Sequence, residues 1–359
     1  MNKSTSLYLD FLRAIAAFGV LLVHANQPWF SNGLYARPEL GHKLVMIFFV
    51  LSGYLIAFTV EKKNKGPKIY LVDRFSRLYS VVVPALILTF IVDSVGEKVN
   101  PVFYVDKINA GNQWLRYLLN LTFLQQIWGL CTKPSTNTPF WSIGYEFWYY
   151  IFFWVLCYFK GARRNLGLIL ICLITGVKII LLLPVWLFGV FAYKYSIQPA
   201  ISRKNGAVLF LVTAGIIFTL TYFWEFSVFA DRFVFGKPPL FFSSRFIFDW
   251  VYGLIVAVNI YSFNVACFEF NVPTRIVRII RYLSSITFSL YLFHIPILNF
   301  ISSLSFYDRN SYVHTVPILI CIILLVAALA TIGEKQRNGY KVFLEKAMNS
   351  LTPKTPDGK

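Results

Sequence analysis

The stretch LYLDFLRAIAAFGVLLVHA, residues 7–25, is long and apolar enough to cross a bilayer as a helix, yet it carries Arg13 and His24, where a simple anchor would carry neither. Eleven residues separate the two, which at ~100° per residue is within ~20° of three full turns. Both side chains therefore leave one face of the helix, roughly 16 Å apart along its axis. Asp10, three residues before Arg13, lies near the same face. That face cannot look at lipid, because a charged group at the centre of a membrane helix costs ~2.5 to 3.5 kcal/mol on insertion scales. It must look into a bundle or a wet cavity, so this one segment predicts both a polytopic membrane fold and the place of a functional site.

The rest of the chain agrees. It is 57% hydrophobic, 18% aromatic and only 14% charged, with a mean hydropathy of +0.61, outside the range of soluble domains. Apolar windows near 7–25, 43–60, 78–95, 140–159, 166–183, 184–197, 207–229, 240–263, 282–303 and 314–333 predict an all-α fold of about ten transmembrane helices in one bundle. The window 184–197 is too short to span alone and is expected to be tilted, or broken at Pro184. Residues 113–128 are apolar on one face with polar interruptions, in the manner of an interfacial or re-entrant helix. No hydrophilic stretch is long enough to bury a core of its own. Residues 1–335 are read as one membrane domain and 336–359 as a cytoplasmic tail, too short for a further soluble domain. Asp10 and Arg13 also argue that the first segment is a retained span and not a cleaved leader.

A formal net charge of +18 would point to nucleic acid in a soluble chain. Here the cations sit in short loops between apolar windows, where topology explains them, and no nucleic-acid partner is expected. With both termini in the cytoplasm, the loops on that side hold 22 of the 34 Lys and Arg. The opposite side receives Arg37, Lys43, Lys98, Lys107, Arg116, Lys133, Arg232, Lys237, Arg245 and Arg309. This bias puts both termini inside. The five cysteines have no CxxC spacing, and no metal-ligand cluster or phosphate-cradling glycine loop is present, so no metal is expected.

Four further motifs carry chemistry. Phe48-Phe49-Val50-Leu51-Ser52-Gly53-Tyr54 places two small residues inside an aromatic helix, and close helix packing alone would account for it. Arg74 and Arg77, at i and i+3 where the third span begins, form a cationic face suited to a polyanion such as phosphate; topology or lipid headgroups would also account for them. Glu146 stands in Trp141-Ser142-Ile143-Gly144-Tyr145-Glu146-Phe147-Trp148. A carboxylate among aromatics needs a cation or donor, as a partner of His24 or Arg13 or as a structural ion pair. His294, two residues before Pro296, suits a satisfied bundle residue better than a catalyst, and His42 and His314 flank outer helix ends and look like ordinary interface residues.

Taken together, these residues resemble acyltransferase family 3, membrane-bound O-acyltransferases that modify bacterial surface glycans. The resemblance covers essentially the whole chain. The family's opening pattern, roughly LDGLRAIAALLVVLFH, is matched from Leu9 onward, and its Arg-to-His spacing falls on Arg13 and His24. FFxLSGY is Phe48 to Tyr54, the cytoplasmic Arg-x-x-Arg is Arg74 and Arg77, WSLSVE aligns with Trp141 to Glu146, and SxSLYLxHxP with Thr287 to Pro296. Phe11 replaces the usual Gly, and Gly144 and Tyr145 replace Ser and Val.

The resemblance implies transfer of an acyl group, usually acetyl, from acyl-coenzyme A to a sugar hydroxyl of O-antigen, capsule or another exopolysaccharide, free or lipid-linked. It also implies a multi-pass protein of the bacterial inner membrane with no permanently bound cofactor. It further implies His24, Arg13 and Glu146 as catalytic residues, with His24 as general base oriented by Glu146. Arg74, Arg77, Ser52, Gly53 and Tyr54 would lie at the donor, and Asp10, Trp141, Ser142 and His294 at the acceptor. A transporter or flippase for a glycan or lipid-linked intermediate is the alternative, since buried polar residues also suit translocation.

Overall fold

The computed structural model describes residues 1–35, 40–63, 66–108, 111–222, 240–268 and 272–350. Arg37, Arg232, Lys237, the end of the 207–229 window and residues 351–359 lie outside them. Among the described residues the regular structure is helical, with no strand. The helices are α1 (Lys3–Ala25), α2 (Leu40–Lys63), α3 (Gly66–Val99), α4 (Pro101–Tyr104), α5 (Gln113–Leu121), α6 (Phe140–Tyr158) and α7 (Gly161–Thr175). They continue with α8 (Val177–Ile197), α9 (Arg203–Tyr222), α10 (Phe246–Ala266), α11 (Thr274–Ser285), α12 (Thr287–Ser303), α13 (Tyr312–Leu329) and α14 (Arg337–Ser350).

Seven helical segments among the described residues are long and apolar enough to cross a membrane, or eight if α11 and α12, bent by 56°, form one span. The chain is an all-α polytopic membrane protein. The predicted windows 140–159 and 166–183 fall largely on α6 and α7, which add to the bundle without meeting that test. α6 is rich in Trp and Tyr, and α7, with 15 residues, is only about 22 Å long.

The expected break near Pro184 occurs elsewhere. α8 runs through Pro184 from Val177 to Ile197, and the chain breaks at Gly176, whose φ of +76° separates α7 from α8. A proline inside a helix removes one hydrogen bond and kinks the axis, whereas a left-handed φ ends the helix. A side chain at Gly176 would also come within 2.9 Å of the Trp128 ring.

Residues 113–128 are helical only as α5, which caps on Asn112 (Leu115 N to Oδ1, 3.1 Å) and exposes Trp114, Leu115 and Leu118 in the way an interfacial helix does. Beyond it the chain dives inward, and buried Phe123 stacks on Phe147 at 4.5 Å. The segment expected as a tail is in part α14, docked along α3.

α1, α2, α3 and α12 form the centre: α1 packs on α2 and α12, and α3 on α12. α9 lies outside, against α10, with Val208, Leu211 and Val212 exposed as a lipid-facing surface requires. α2 and α8 approach closely, backbone against backbone. A Cβ on Gly53 would overlap the Trp186 carbonyl, and one on Gly189 would overlap the Val50 carbonyl. Small residues permit this contact, which is favourable where lipid supplies no hydrophobic drive between helices.

Candidate active site

A small cavity of about 60 Å³ opens among α1, α2, α3, α6 and α12. Its polar lining is Arg13, Ser52, Arg77, Ser142, Glu146, Thr287 and Tyr291, with Phe48 and Phe49 among its apolar walls. Residues from four of the five sequence motifs, together with Thr287 and Tyr291 of the fifth, thus meet in one space.

At the end of the cavity nearer the N-terminus of α1, Arg13 is tied into a small network. Its Nη1 lies 3.9 Å from Asp10 Oδ1 and donates to Ser284 Oγ at 3.4 Å, while Ser284 Oγ donates to Asp10 at 3.0 Å. Asp10, expected at the acceptor, is therefore engaged at the opposite end of α1 from His24. Arg13 and Arg77 also lie within electrostatic reach of Glu146 and Glu334. Glu334 Oε2 accepts from Ser289 N at 3.4 Å. Two guanidiniums facing two carboxylates largely neutralise this buried layer, which is what makes it tolerable inside a bundle.

Glu146 lines the same cavity. Its Oε1 accepts from Ser52 Oγ at 2.8 Å and from the Tyr150 hydroxyl one turn along α6, and Trp186 Nε1 donates to Ser52 Oγ at 3.2 Å. The carboxylate is thus held by two hydroxyls at the α2–α8 contact.

The partner of His24 is a second histidine. His24 Nδ1 lies 2.7 Å from His294 Nε2, the rings meeting edge to edge with centroids 4.9 Å apart and planes 26° from parallel, and His294 Nδ1 lies 2.8 Å from the Leu290 carbonyl. A carbonyl only accepts, so His294 Nδ1 carries the proton. In neutral rings His294 Nε2 then accepts from His24 Nδ1–H, and His24 Nε2 is left with a free lone pair. His294 is fully buried, whereas His24 is half-buried. Glu146, expected to orient His24, is bonded to Ser52 and Tyr150, and the ring nitrogen of His24 is met by His294.

The other expected residues divide. Ser142 Oγ and Tyr291 OH bond at 2.8 Å on the cavity wall. Trp141 stacks on Phe242 (4.3 Å) and lies nearly parallel to the His42 ring at 5.7 Å. Gly53 serves the helix contact, and Tyr54 packs edge-on against Tyr193; of the three small-motif residues, Ser52 lines the cavity. Arg74 is buried, its guanidinium 5.7 Å from the Tyr70 ring, with Nε lacking a hydrogen-bond partner.

Sequence reading missed Glu334, Tyr150 and Ser284, and it took His42 for an ordinary interface residue at a helix end although the ring bonds buried Asp249 at 3.0 Å. A lone acid directly after the last apolar window was the available signal for Glu334. Nothing in the spacing marked the others.

Comparison with known proteins fits this picture. The family described as "Acyltransferase domain" matches residues 6–332. "Peptidoglycan O-acetyltransferase OatA" of Listeria monocytogenes serovar 1/2a is 24% identical over 340 residues, covering 81% of this chain and 49% of that protein. "O-acetyltransferase OatA" of Staphylococcus aureus (strain NCTC 8325 / PS 47) is 24% identical over 386 residues, covering 93% of this chain and 58% of that protein. The chain thus spans about half the length of the curated relatives it matches. No solved structure matches it. With the match extending over nearly all of the helical bundle that holds the Arg13–His24 column, the chain belongs to acyltransferase family 3.

Proposed function

We propose that the protein is an O-acyltransferase that moves an acyl group, acetyl first among the candidates, from cytoplasmic acyl-coenzyme A to a hydroxyl of a cell-envelope glycan. The observation that carries this reading is the polar column inside an apolar bundle. Arg77, Arg13 and Glu146 line one cavity, and the His24–His294 pair, outside that lining, lies three turns above Arg13 on α1. The charge bias of the loops puts the arginine end at the cytoplasm and the histidine end at the outer side of the bacterial cytoplasmic membrane. A polyanionic donor would then meet cations on its own side, and a glycan at the outer leaflet would meet the base.

Arg74 and Arg77 fit the donor's phosphates. A buried guanidinium with an orphaned N–H is a costly arrangement that an anion relieves, and its planar fork matches phosphate oxygens. At the other end His24 Nε2 has the lone pair required of a general base. It takes the hydroxyl proton as the oxygen attacks the acyl carbon. The C–O bond forms, the C–S bond breaks, and the proton passes from His24 to the departing thiolate. Attack by Nε2 itself, through an acyl-imidazole, would use the same lone pair. The name of the Listeria relative makes peptidoglycan an acceptor to test beside O-antigen, capsule and exopolysaccharide. Membership of this family favours group transfer over the transport alternative.

Two tests follow from these placements. Arg74→Ala combined with Arg77→Ala is expected to raise the Kd for coenzyme A by ~10-fold or more, because each lost charged hydrogen bond is worth about 1.5 to 3 kcal/mol. An unchanged Kd in purified, folded protein rejects the donor site. For orientation, a cysteine at exposed Lys62 is expected to resist a membrane-impermeant maleimide in intact spheroplasts, while one at exposed Lys98 is labelled. The reverse pattern inverts the topology and removes the donor argument. Mass spectrometry of envelope glycans with and without the gene names the acyl group and the acceptor.

A further inference from the structure

We infer that helix α14 is a wall of the donor site and that Arg337 is its third arginine, binding a phosphate group together with Arg74 and Arg77. This rests on the reading of Arg74 and Arg77 given above and extends it to a residue beyond the stretch 6–332 that the family match covers.

α14 is fastened to the start of α3 at several points. Arg337 Nη2 donates to the Asp73 carbonyl at 3.1 Å, Lys341 Nζ pairs with the Asp73 carboxylate at 2.8 Å, and Lys68 Nζ reaches Asn349 Oδ1 at 2.6 Å. Arg337 and Lys341 are four residues apart and so share one helical face, which is turned to α3. Asp73 immediately precedes Arg74, so this docking sets Arg337 beside the Arg-x-x-Arg pair.

The charge balance there is unequal. Arg337 lies within electrostatic reach of both Arg77 and Arg74, the Asp73 carboxylate is shared by Lys341, Arg337 and Arg74, and the other carboxylate at hand, the half-exposed Glu345, lies 4.0 Å from Lys341. Arg77 has Glu146 and Glu334 for balance. Arg74, only 6% exposed, keeps an unpartnered Nε. Like charges gathered at a half-buried site repel unless an anion joins them, and three guanidinium forks suit the several oxygens of a phosphate. The remaining face of α14 exposes Val342 and Phe343, which fits a helix lying along the membrane surface.

A phosphate group at this place has two possible sources, the acyl donor and an anionic phospholipid headgroup, and we commit to the donor. The test uses the full-length protein in nanodiscs of phosphatidylcholine, with and without phosphatidylglycerol. Two donors are compared: acetyl-coenzyme A, and S-acetylpantetheine, which lacks every phosphate. Arg337→Ala is expected to raise KM for acetyl-coenzyme A roughly tenfold, leave kcat within about twofold, and leave KM for S-acetylpantetheine unchanged; Arg337→Lys should recover part of the loss. If Arg337→Ala fails to fold, Arg337→Gln, which keeps a donor for the Asp73 carbonyl, replaces it.

Three outcomes overturn the inference. KM for acetyl-coenzyme A stays as it was, KM rises equally for both thioesters, or retained phosphatidylglycerol falls while coenzyme A binding holds. If the Arg74→Ala/Arg77→Ala double variant also binds coenzyme A normally, the donor-site reading itself has failed. If that double variant weakens binding and Arg337→Ala does not, only the role of α14 is wrong.

Discussion

His24→Ala is expected to lower acyl transfer by ~10²- to 10⁴-fold, the span that a positioned general acid–base group contributes. Expression and detergent-extracted elution should be unchanged, because His24 is half-buried near the end of α1 and does not fill the centre of the core. The measurement is acylation of envelope glycan by mass spectrometry, paired with release of coenzyme A by purified protein. Wild-type acylation from a normally inserted His24→Ala protein would sink the catalytic assignment.

A companion variant separates the base from its support. His294→Phe keeps an aromatic ring beside His24 but removes the acceptor at 2.7 Å that fixes its tautomer. A smaller loss is therefore expected, on the order of tenfold, with a displaced pH profile and an unaltered KM for the donor. Coenzyme A binding should not respond to either change, since the arginine end lies roughly 16 Å away along α1.

How much of this was legible beforehand differs by residue, and the reasons are physical. The membrane fold follows from apolar length, which is a local property of the chain. The column on α1 follows from helical period, since one helix fixes the face and rise of Arg13 and His24 wherever the rest of the bundle goes. Partners across helices do not follow, because they depend on how two axes meet. Glu146 and His24 were natural partners on paper, yet α6 delivers Glu146 to Ser52 and α12 delivers His294 to His24. Arg337 was hidden for the same reason. Its role depends on α14 folding back onto α3, which a reading of residues 336–359 as a tail does not anticipate. The break at Gly176 was missed because proline is the more visible interrupter, although only the glycine takes a left-handed φ.

Gly53→Val is expected to damage the fold itself. A Cβ at Gly53 would overlap the Trp186 carbonyl, with Val190 N 3.2 Å away. Those are backbone atoms of a packed helix and cannot rotate aside as a side-chain end would. Either α2 and α8 separate or both bend, and overpacking of this kind costs about 3 kcal/mol. That is a large share of the 5–15 kcal/mol that holds a typical protein folded, so a lower yield of monodisperse protein and a lower Tm are expected.

Gly215→Val is the control. It sits on peripheral α9, where a Cβ would meet nothing within 4 Å, and its Tm should stay within a few degrees of wild type.

The damage at Gly53 should also reach the chemistry, because Ser52 is its neighbour. Ser52 Oγ accepts from Trp186 Nε1 and donates to Glu146, so the contact that fixes two helices also fixes the carboxylate that lines the cavity with Arg13 and Arg77. Ser52→Ala separates the two effects: its Tm should be near wild type and its kcat reduced, as Glu146 loses one of its two hydroxyl donors. A Gly53→Val protein with wild-type Tm would mean that α2 and α8 do not meet backbone to backbone, and the position of Glu146 in the column would fall with that contact.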